Sequence, residues 1–447
     1  METRKEAMPS GECQRNPTFD SDGRGESPAP TSIRWRLRAA GKSHCFAERV
    51  RARVAAMKVH RLLAEGCAGI LKEVFKEGRV LDRALDEAFR ANPKWGKRDR
   101  GFIAETVFEA TRWRRALAFV AAGDSVAALC AAQWRRSGLE VPEWWTWDGC
   151  GVEEMSAREA ELANQPRAIR ESVPDWLDAL GEQELGTAWD AELSALNRRA
   201  RVFLRVNPLM ATMDEAIAWL TAEGVSVERV EGAPDALVLP EGKTLPKPLA
   251  QDGRVEIQDA GSQQIVPLLD VEPGMRVVDT CAGAGGKTLQ LAGVMGNSGE
   301  ILALDTAERK LVELKKRVGR AGARNVRIEP WQSDTLRRRT GWADRVLVDA
   351  PCSGLGTLKR QPDLKWRLTA GSLRKTLAVQ ANLLDRYHHL LKPGGMMVYA
   401  TCSVLPSENG GQVRALLERG SPKVIDAELT VSPAATGWDG FYAARLK

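Results

Sequence analysis

Strand-like apolar runs alternate regularly with helical segments from about residue 261 to the end of the chain. This alternation is typical of parallel sheets covered by helices, because each parallel strand needs a crossover connection. Arg345–Val348 and Met396–Ala400 have the composition of two buried strands. We therefore predict an α/β domain with a doubly wound, mostly parallel, Rossmann-like sheet over residues 261–447.

Length and local composition divide the rest of the chain. Its 447 residues exceed one ordinary core, so two or three domains are expected. We expect a disordered tail at 1–57, which begins rich in Pro, Gly, Ser and charge; the other possibility is that translation begins at Met57. Helical periodicity then predicts an all-α domain at 58–170. Mixed patterns, with one helix over Trp176–Asn197, predict a small α+β module at 171–260.

Two features of the helical region leave their roles open. The tryptophan cluster Trp144–Trp147 could stack on bases, although packing of an inserted loop against the body is favoured because large aromatics usually serve burial. The basic residues could bind phosphates or form a solvated helix face. These residues are Lys94, Lys97, Arg98, Arg100, Arg112, Arg114 and Arg115.

Charge and cysteine usage narrow the classes of protein. The formal net charge of +6 permits an anionic partner but gives only weak support for nucleic acid. The eight cysteines form no C-x-x-C pair and the four histidines no H-x-x-x-H pair, so we expect neither a structural metal nor a disulfide framework. Without a signal sequence or a bilayer-length apolar run, the chain is expected in the cytoplasm with reduced thiols.

A glycine-rich turn follows the strand-like run Met275–Asp279. The turn, Cys281–Lys287, leads into a helix, so a ligand can approach the backbone near the positive helix end. A Walker A loop would need glycine at Cys281, and a dinucleotide fingerprint would need it at Thr288. Asp305 ends the next strand, where a carboxylate can accept both ribose hydroxyls. An adenosine cofactor without a pyrophosphate fingerprint indicates S-adenosyl-L-methionine.

Two cysteines follow the paired strands predicted above. Cys352 lies in Asp349–Gly354 and Cys402 in Thr401–Ser403, so both thiols should emerge at the carboxyl edge of one sheet. Free cysteine is often only a small buried hydrophobe. A thiolate, however, can add to carbon 6 of cytosine and make carbon 5 nucleophilic toward a methyl sulfonium, and a second acid/base group then assists release. We favour this covalent chemistry.

Four stretches of the chain resemble the RsmB (Sun) family of RNA cytosine-5 methyltransferases. They are Cys281–Thr288, Asp349–Gly354, Arg360–Trp366, and Tyr399–Ser403 with Glu408–Asn409 after it. The resemblance covers residues 58–447, loosely between 121 and 170, and residues 58–120 are similar to the family's NusB-like RNA-binding domain. Two departures are Gly283-Ala284, where many members have Ala-Pro, and the tryptophan-rich insert.

The resemblance implies roles for individual residues. Cys402 would be the nucleophile, Cys352 would help release the methylated base, and Asp349 would contact a cytosine flipped out of its stack. The implied cofactor pocket comprises Cys281, Ala282, Gly283, Ala284, Gly285, Gly286, Lys287, Asp305, Asp334 and Asp349, with Cys281 serving packing or backbone geometry. Arg360, Pro362 and Asp363 fall where the family shapes the RNA-facing side of the pocket.

The resemblance favours an enzyme that methylates 16S rRNA, and we expect a monomer. A transfer RNA substrate stays open. A DNA cytosine methyltransferase would take its nucleophile from Cys352, but the Thr-Cys-Ser motif and the NusB-like segment argue against it. A ribosome-assembly factor without catalysis would not need Cys402, Cys352, Asp349 and the glycine turn.

Overall fold

The structure is a computed structural model that describes residues 58–332, 334–421 and 423–447. The tail expected at residues 1–57, and the alternative start at Met57, lie outside the described residues. Within them, the chain forms a helical region, a four-stranded sheet and a seven-stranded sheet in that order.

The helical region begins with helices that share one apolar core. They are α1 (Arg61–Lys76), α2 (Leu81–Ala91), α3 (Lys97–Arg112), α4 (Arg114–Ala121), α5 (Val126–Arg136) and α6 (Val152–Glu161). Helix α1 buries one face at helical spacing because its apolar residues recur every three or four positions. That face comprises Leu63, Cys67, Ile70, Leu71 and Val74. The helical periodicity of residues 58–120 is confirmed.

The tryptophan-rich insert packs onto this bundle. The Trp145 ring lies 5.1 Å from that of Trp134, edge to face, and its Nε1 donates to the Ala127 carbonyl at 3.0 Å. Trp147 donates to the Cys150 carbonyl at 3.0 Å. Both indoles are therefore used in packing, as the favoured interpretation predicted, because a buried indole N–H needs an acceptor.

Three helices connect the bundle to the first sheet: α7 (Arg167–Arg170), α8 (Asp175–Leu185) and α9 (Ala188–Leu196). The prediction of one helix over Trp176–Asn197 is wrong. Gly186 breaks it with a φ of +55°, a left-handed conformation that glycine adopts readily at helix ends.

The four-stranded sheet is antiparallel, with strand order β2-β3-β1-β4. Its elements are β1 (Phe203–Val206), α10 (Met213–Ala222), β2 (Glu228–Val230), β3 (Ala233–Val238), α11 (Lys247–Ala250) and β4 (Val255–Ile257). Apolar side chains of β1, β3, β4 and α10 form one core beneath it. Strand β1 lies in the middle of the sheet, and all four of its residues are buried.

The seven-stranded sheet has the order β10-β11-β9-β8-β5-β6-β7. Its strands are β5 (Arg276–Asp279), β6 (Glu300–Asp305), β7 (Val326–Pro330), β8 (Ala343–Asp349), β9 (Leu391–Thr401), β10 (Ile425–Val431) and β11 (Phe441–Leu446). Strands β5 to β9 pair in parallel, whereas β11 runs antiparallel to both β9 and β10. The predicted doubly wound, mostly parallel sheet is confirmed.

Helices cover both faces of this sheet, and two apolar cores lie beneath them. The helices are α12 (Ala260–Gln263), α13 (Ile265–Leu268), α14 (Gly286–Val294), α15 (Glu308–Arg320), α16 (Thr335–Arg339), α17 (Leu364–Arg367), α18 (Ala370–Tyr387), α19 (Gly410–Glu418) and α20 (Pro433–Thr436). In the described part of the chain, no single helix has the length and apolarity to cross a bilayer. One pair, α4 with α5, passes on length and composition but is bent by 92°.

Candidate active site

Two cysteines meet at the carboxyl edge of the seven-stranded sheet. Strands β8 and β9 are adjacent and parallel, with Asp349 opposite Ala400, so the segments that follow them leave the sheet side by side. Cys352 and Cys402 lie in these segments, and their Sγ atoms are 3.2 Å apart. The prediction that both thiols emerge at one edge is confirmed.

The buried carboxylate of Glu408 joins the two cysteine-bearing segments. The Ser353 N–H and the Gln380 side chain donate to its Oε1 at 2.7 Å and 3.1 Å. The hydroxyls of Ser353 and Ser403 donate to its other oxygen. Each serine directly follows one of the two cysteines, so a single charged group fixes both segments through short, charge-assisted hydrogen bonds.

Glu408 and its neighbour Asn409 lie in one of the stretches that resemble the RsmB family, but the resemblance implies no role for them. Asn409 continues the network, because its Nδ2 donates to the Ser403 carbonyl at 3.0 Å and its Oδ1 accepts from Thr401. One signal in the sequence could have found Glu408: it is a carboxylate between the buried strand β9 and helix α19, and a carboxylate that is buried there needs several donors.

Cys352 differs from its neighbour in its surroundings. The hydrogen bond with Cys402 and burial of the thiol raise the pKa of Cys352 well above its ordinary value, and the charge of Glu408 acts in the same direction. Cys352 therefore holds its proton and can share it with the sulfur of Cys402.

Lys287 connects the cysteines to the glycine-rich turn. Its Nζ lies 2.7 Å from Oδ2 of Asp349, the last residue of β8, and the side chain is 8% exposed. Burial opposes its charge, yet the carboxylate of Asp349 and the nearby sulfur of Cys402 keep its pKa above the ordinary value. The ammonium group is therefore charged beside both a carboxylate and a thiol.

The turn between β5 and α14 has backbone conformations that residues other than glycine rarely adopt. Gly283 and Gly285 have φ values of +56° and +94°. A Cβ at Gly285 would lie 2.1 Å from the Leu314 side chain, whereas a Cβ at Gly283 would meet nothing closer than 4.0 Å. The turn thus packs closely on α15 at Gly285 and is open at Gly283, where a ligand can reach the backbone.

Asp305 ends β6 directly beside this turn. Its Oδ2 accepts from the Gly283 N–H at 2.9 Å, and its Oδ1 accepts from the Ala307 N–H at 2.7 Å. Each carboxylate oxygen has further lone pairs for a ribose hydroxyl. The open backbone at Gly283 and this fixed carboxylate fit the adenosine part of S-adenosyl-L-methionine, which supplies an electrophilic methyl group.

One cysteine and two aspartates near the turn are buried or contact other groups of the protein. Burial raises the pKa of Cys281 to about 12, which favours its neutral thiol. Asp334 precedes α16 and pairs with Arg338 at 3.1 Å. Asp279, which the sequence analysis did not select, is buried at the end of β5 and accepts from the Thr288 hydroxyl at 2.7 Å. It supports the start of α14 from within the sheet.

The residues expected on the RNA-facing side of the pocket make internal contacts. Arg360 lies between Asp259 and Asp439, at 2.8 Å and 2.6 Å. Pro362 is buried, and Asp363 is 2% exposed and accepts from the Leu81 N–H of α2 at 3.2 Å. Asp363 thus contacts the helical region, whereas Arg360 joins segments near β4 and β11. An RNA-facing role for these residues stays a prediction.

The strand order and the glycine turn beside Asp305 define a methyltransferase that uses S-adenosyl-L-methionine. A family model described as 16S rRNA methyltransferase RsmB/F matches residues 266–447. A second model, a ferredoxin-like domain of RsmF/B-like methyltransferases, matches residues 173–245. The chain belongs to the RsmB/F family of methyltransferases.

Two relatives support this membership. A probable ribosomal RNA small subunit methyltransferase B of Synechocystis is 35% identical over 300 residues, which cover 62% of this chain and 67% of the relative. Ribosomal RNA small subunit methyltransferase B of Serratia proteamaculans is 33% identical over 316 residues, covering 66% and 72%. The matches thus span about two thirds of each chain.

Solved structures agree on the fold. A methyltransferase homologue from Pyrococcus horikoshii superposes with a TM-score of 0.56 at 26% identity, covering 63% of this chain and 97% of that one. NSun6 from the same organism gives a TM-score of 0.55 at 19% identity and covers 61% and 98%. The α/β architecture is therefore shared with known methyltransferases.

Proposed function

We propose that this enzyme methylates carbon 5 of a cytosine in small-subunit, 16S-type ribosomal RNA through a covalent adduct with Cys402. The observation that carries the proposal is the pair of thiols, with sulfurs 3.2 Å apart, beside the Lys287–Asp349 ion pair. Lys287 ends the glycine-rich turn Cys281–Lys287, which we call the cofactor turn. A structural cysteine needs neither a second thiol nor a neighbouring ion pair. Together these groups suit nucleophilic attack on a base.

In the first step the sulfur of Cys402 adds to carbon 6 of the flipped cytosine. The bond between carbons 5 and 6 opens, and the electron pair moves through carbon 5 toward the base nitrogen N3. Asp349 lies at the end of β8, where it can hold the base edge and help protonate it, and Lys287 keeps the local charge balanced. The activated carbon 5 would then take the methyl group from the sulfonium of the cofactor, whose sulfur–methyl bond breaks to leave a neutral thioether.

In the last step the adduct is resolved. Cys352 passes its proton across the 3.2 Å contact to the departing sulfur of Cys402 and takes up the proton from carbon 5, so the double bond re-forms as the carbon–sulfur bond breaks. The environment that raises the pKa of Cys352 keeps the thiol protonated until this step and makes the thiolate a strong base for the proton on carbon 5. Each thiol thus has one role: Cys402 forms the carbon–sulfur bond, and Cys352 allows it to break.

The substrate class follows from the relatives, which are named ribosomal RNA small subunit methyltransferases. We assign residues 58–170 to a NusB-like RNA-binding domain, 171–260 to the module that follows it, and 261–447 to the catalytic domain. Ribosomal RNA as substrate would place the enzyme in the cytoplasm. Transfer RNA is the alternative that sequencing of trapped RNA would reveal.

Covalent trapping tests this proposal. Expressed in cells, Cys352→Ala should accumulate an RNA-linked form that migrates slowly on a denaturing gel. Cys402→Ala and the double variant should give no such band, because the bond-forming sulfur is absent. Sequencing the trapped RNA identifies the cytosine.

The controls separate chemistry from folding. Each variant is checked for thermal unfolding and for binding of S-adenosyl-L-methionine. Full methylation by both single variants would refute the two-thiol mechanism. A folded, cofactor-binding Cys352→Ala protein without adduct would favour an assembly factor that binds RNA without methylating it.

A further inference from the structure

Two arginine side chains donate hydrogen bonds to backbone carbonyls of the cofactor turn. Arg205 donates to the carbonyl of Gly286 at 2.7 Å, and Arg317 donates to the carbonyl of Ala284 at 2.8 Å. Both carbonyls belong to the same turn as Gly283, where the backbone is open. Fixing them restricts rotation of the peptide planes on which cofactor binding depends.

The two arginines come from different parts of the fold. Arg317 lies on α15 of the catalytic domain, whereas Arg205 lies on β1, the central strand of the four-stranded sheet. Glu256 on β4 lies opposite Arg205 in the sheet register and accepts from Arg317 at 2.7 Å. One carboxylate from the four-stranded sheet therefore holds the arginine that holds the turn.

Both residues of this cross-strand pair are buried. Arg205 and Glu256 are 2% and 4% exposed, so each charge depends on its few partners. Burial lowers the pKa of Arg205 to about 10, although the charge of Glu256 opposes the shift. A sheet that served only as an RNA-binding surface would not need buried charges directed at the cofactor turn.

We propose that Arg205, Glu256 and Arg317 are positioning residues through which the four-stranded sheet sets the affinity for S-adenosyl-L-methionine. The sheet forms the back of the cofactor turn and keeps its carbonyls in the binding geometry before the ligand arrives. Loss of this preorganisation weakens binding of the cofactor and leaves the cysteine chemistry unchanged once the cofactor is bound.

The test uses the full chain with Arg205→Met, Arg317→Met and Glu256→Gln. Calorimetry with S-adenosyl-L-methionine alone should give a Kd about tenfold higher for either arginine variant. The methylation rate at saturating cofactor and the RNA affinity should stay within about twofold, so the effect appears in KM and not in kcat.

Arg229→Met is the matched control. Arg229 lies on β2 of the same sheet but pairs with Asp214 on the exposed side at 2.5 Å, away from the turn. It should leave the cofactor Kd unchanged. Arg205→Lys keeps the charge and one donor, so it should recover part of the affinity and serves where Arg205→Met fails to fold.

Unchanged cofactor Kd with a lower melting temperature would overturn the proposal, because the charges would then serve stability alone. Weaker RNA binding at unchanged cofactor Kd would overturn it also and assign the sheet to RNA. Since cofactor binding is measured without RNA, failure of the cytosine chemistry proposed above would not affect this result.

Discussion

The two halves of the active site are held in place in different ways. The cysteine pair is fixed from within the catalytic domain, because Glu408 bonds Ser353 and Ser403, the residues that follow Cys352 and Cys402. The cofactor turn is fixed partly from outside that domain, because Arg205 of the four-stranded sheet donates to the Gly286 carbonyl. The first half belongs to one domain, and the second depends on contact between two.

Because of this difference, substitutions in the two halves should have different effects on the enzyme. A change near the cysteines should alter the rate of chemistry while cofactor binding survives. A change behind the turn should alter cofactor affinity while the thiols stay paired. Lys287 is the exception, since it lies in the first turn of helix α14 beside the cofactor turn and pairs with Asp349 beside the cysteines.

Lys287→Met should therefore have the largest effect and damage both halves. It leaves Asp349 without its cation and removes the positive charge near Cys402. We expect the methylation rate to fall by about 10²- to 10⁴-fold, the usual contribution of a positioned acid/base group, and cofactor affinity to fall as well. Radiolabelled methyl transfer and calorimetry measure the two losses.

Lys392→Met provides the control for Lys287→Met. Lys392 pairs with Asp344 at the opposite end of β8 and β9, so its loss also removes a lysine–aspartate pair from the same sheet. Methylation should be unaffected. Equal losses in both variants would mean that the Lys287 effect arises from stability and not from its place in the site.

Glu408→Gln should slow chemistry without weakening the cofactor. The amide has one acceptor oxygen where the carboxylate has two, so at least one of Ser353 and Ser403 loses its bond. We expect the methylation rate to fall by about 10- to 100-fold, as for loss of one to two charge-assisted hydrogen bonds. The calorimetric Kd for S-adenosyl-L-methionine should not change.

Glu184→Gln separates this effect from general loosening of the loop. Glu184 accepts from the N–H and hydroxyl of Ser407 at 2.8 Å and 2.7 Å, one residue before Glu408. Those bonds reach neither Ser353 nor Ser403. If Glu184→Gln slowed methylation as much as Glu408→Gln, Glu408 would not have a special place between the thiols.

Gly285→Ala should weaken the cofactor without slowing chemistry at saturation. A methyl group there overlaps Leu314 and requires a strained φ of +94°. We expect a loss of about 1–3 kcal/mol in stability and a several-fold higher cofactor Kd. Gly296→Ala, at a φ of +58° with open space around it, measures the backbone strain alone.

The two halves of the active site also differ in how much of them the sequence could predict. Both cysteine motifs end recognisable strands, so their meeting at one edge was predictable from strand pairing. The supports of the cofactor turn were not, because Arg205 and Glu256 become neighbours only when β1 pairs with β4. The contact of Asp363 with the Leu81 N–H, 282 positions away, was hidden for the same reason. Local patterns identify the reacting groups, whereas tertiary packing decides what holds them.

Asp279→Asn should have the smallest effect on methylation, and the pH dependence of its stability tests whether the carboxyl group of Asp279, at the base of the cofactor turn, is neutral or charged. Burial raises the pKa of Asp279 to about 7, although the Thr288 hydroxyl opposes the shift. Between about pH 4 and pH 7 the folded protein therefore holds a proton that the unfolded chain has released, and stability falls as pH rises. Asparagine keeps an acceptor for Thr288 and does not titrate. The wild-type free energy of unfolding, measured against denaturant and relative to the variant, should decline by a few kcal/mol across that range, and parallel curves would mean that Asp279 is charged throughout.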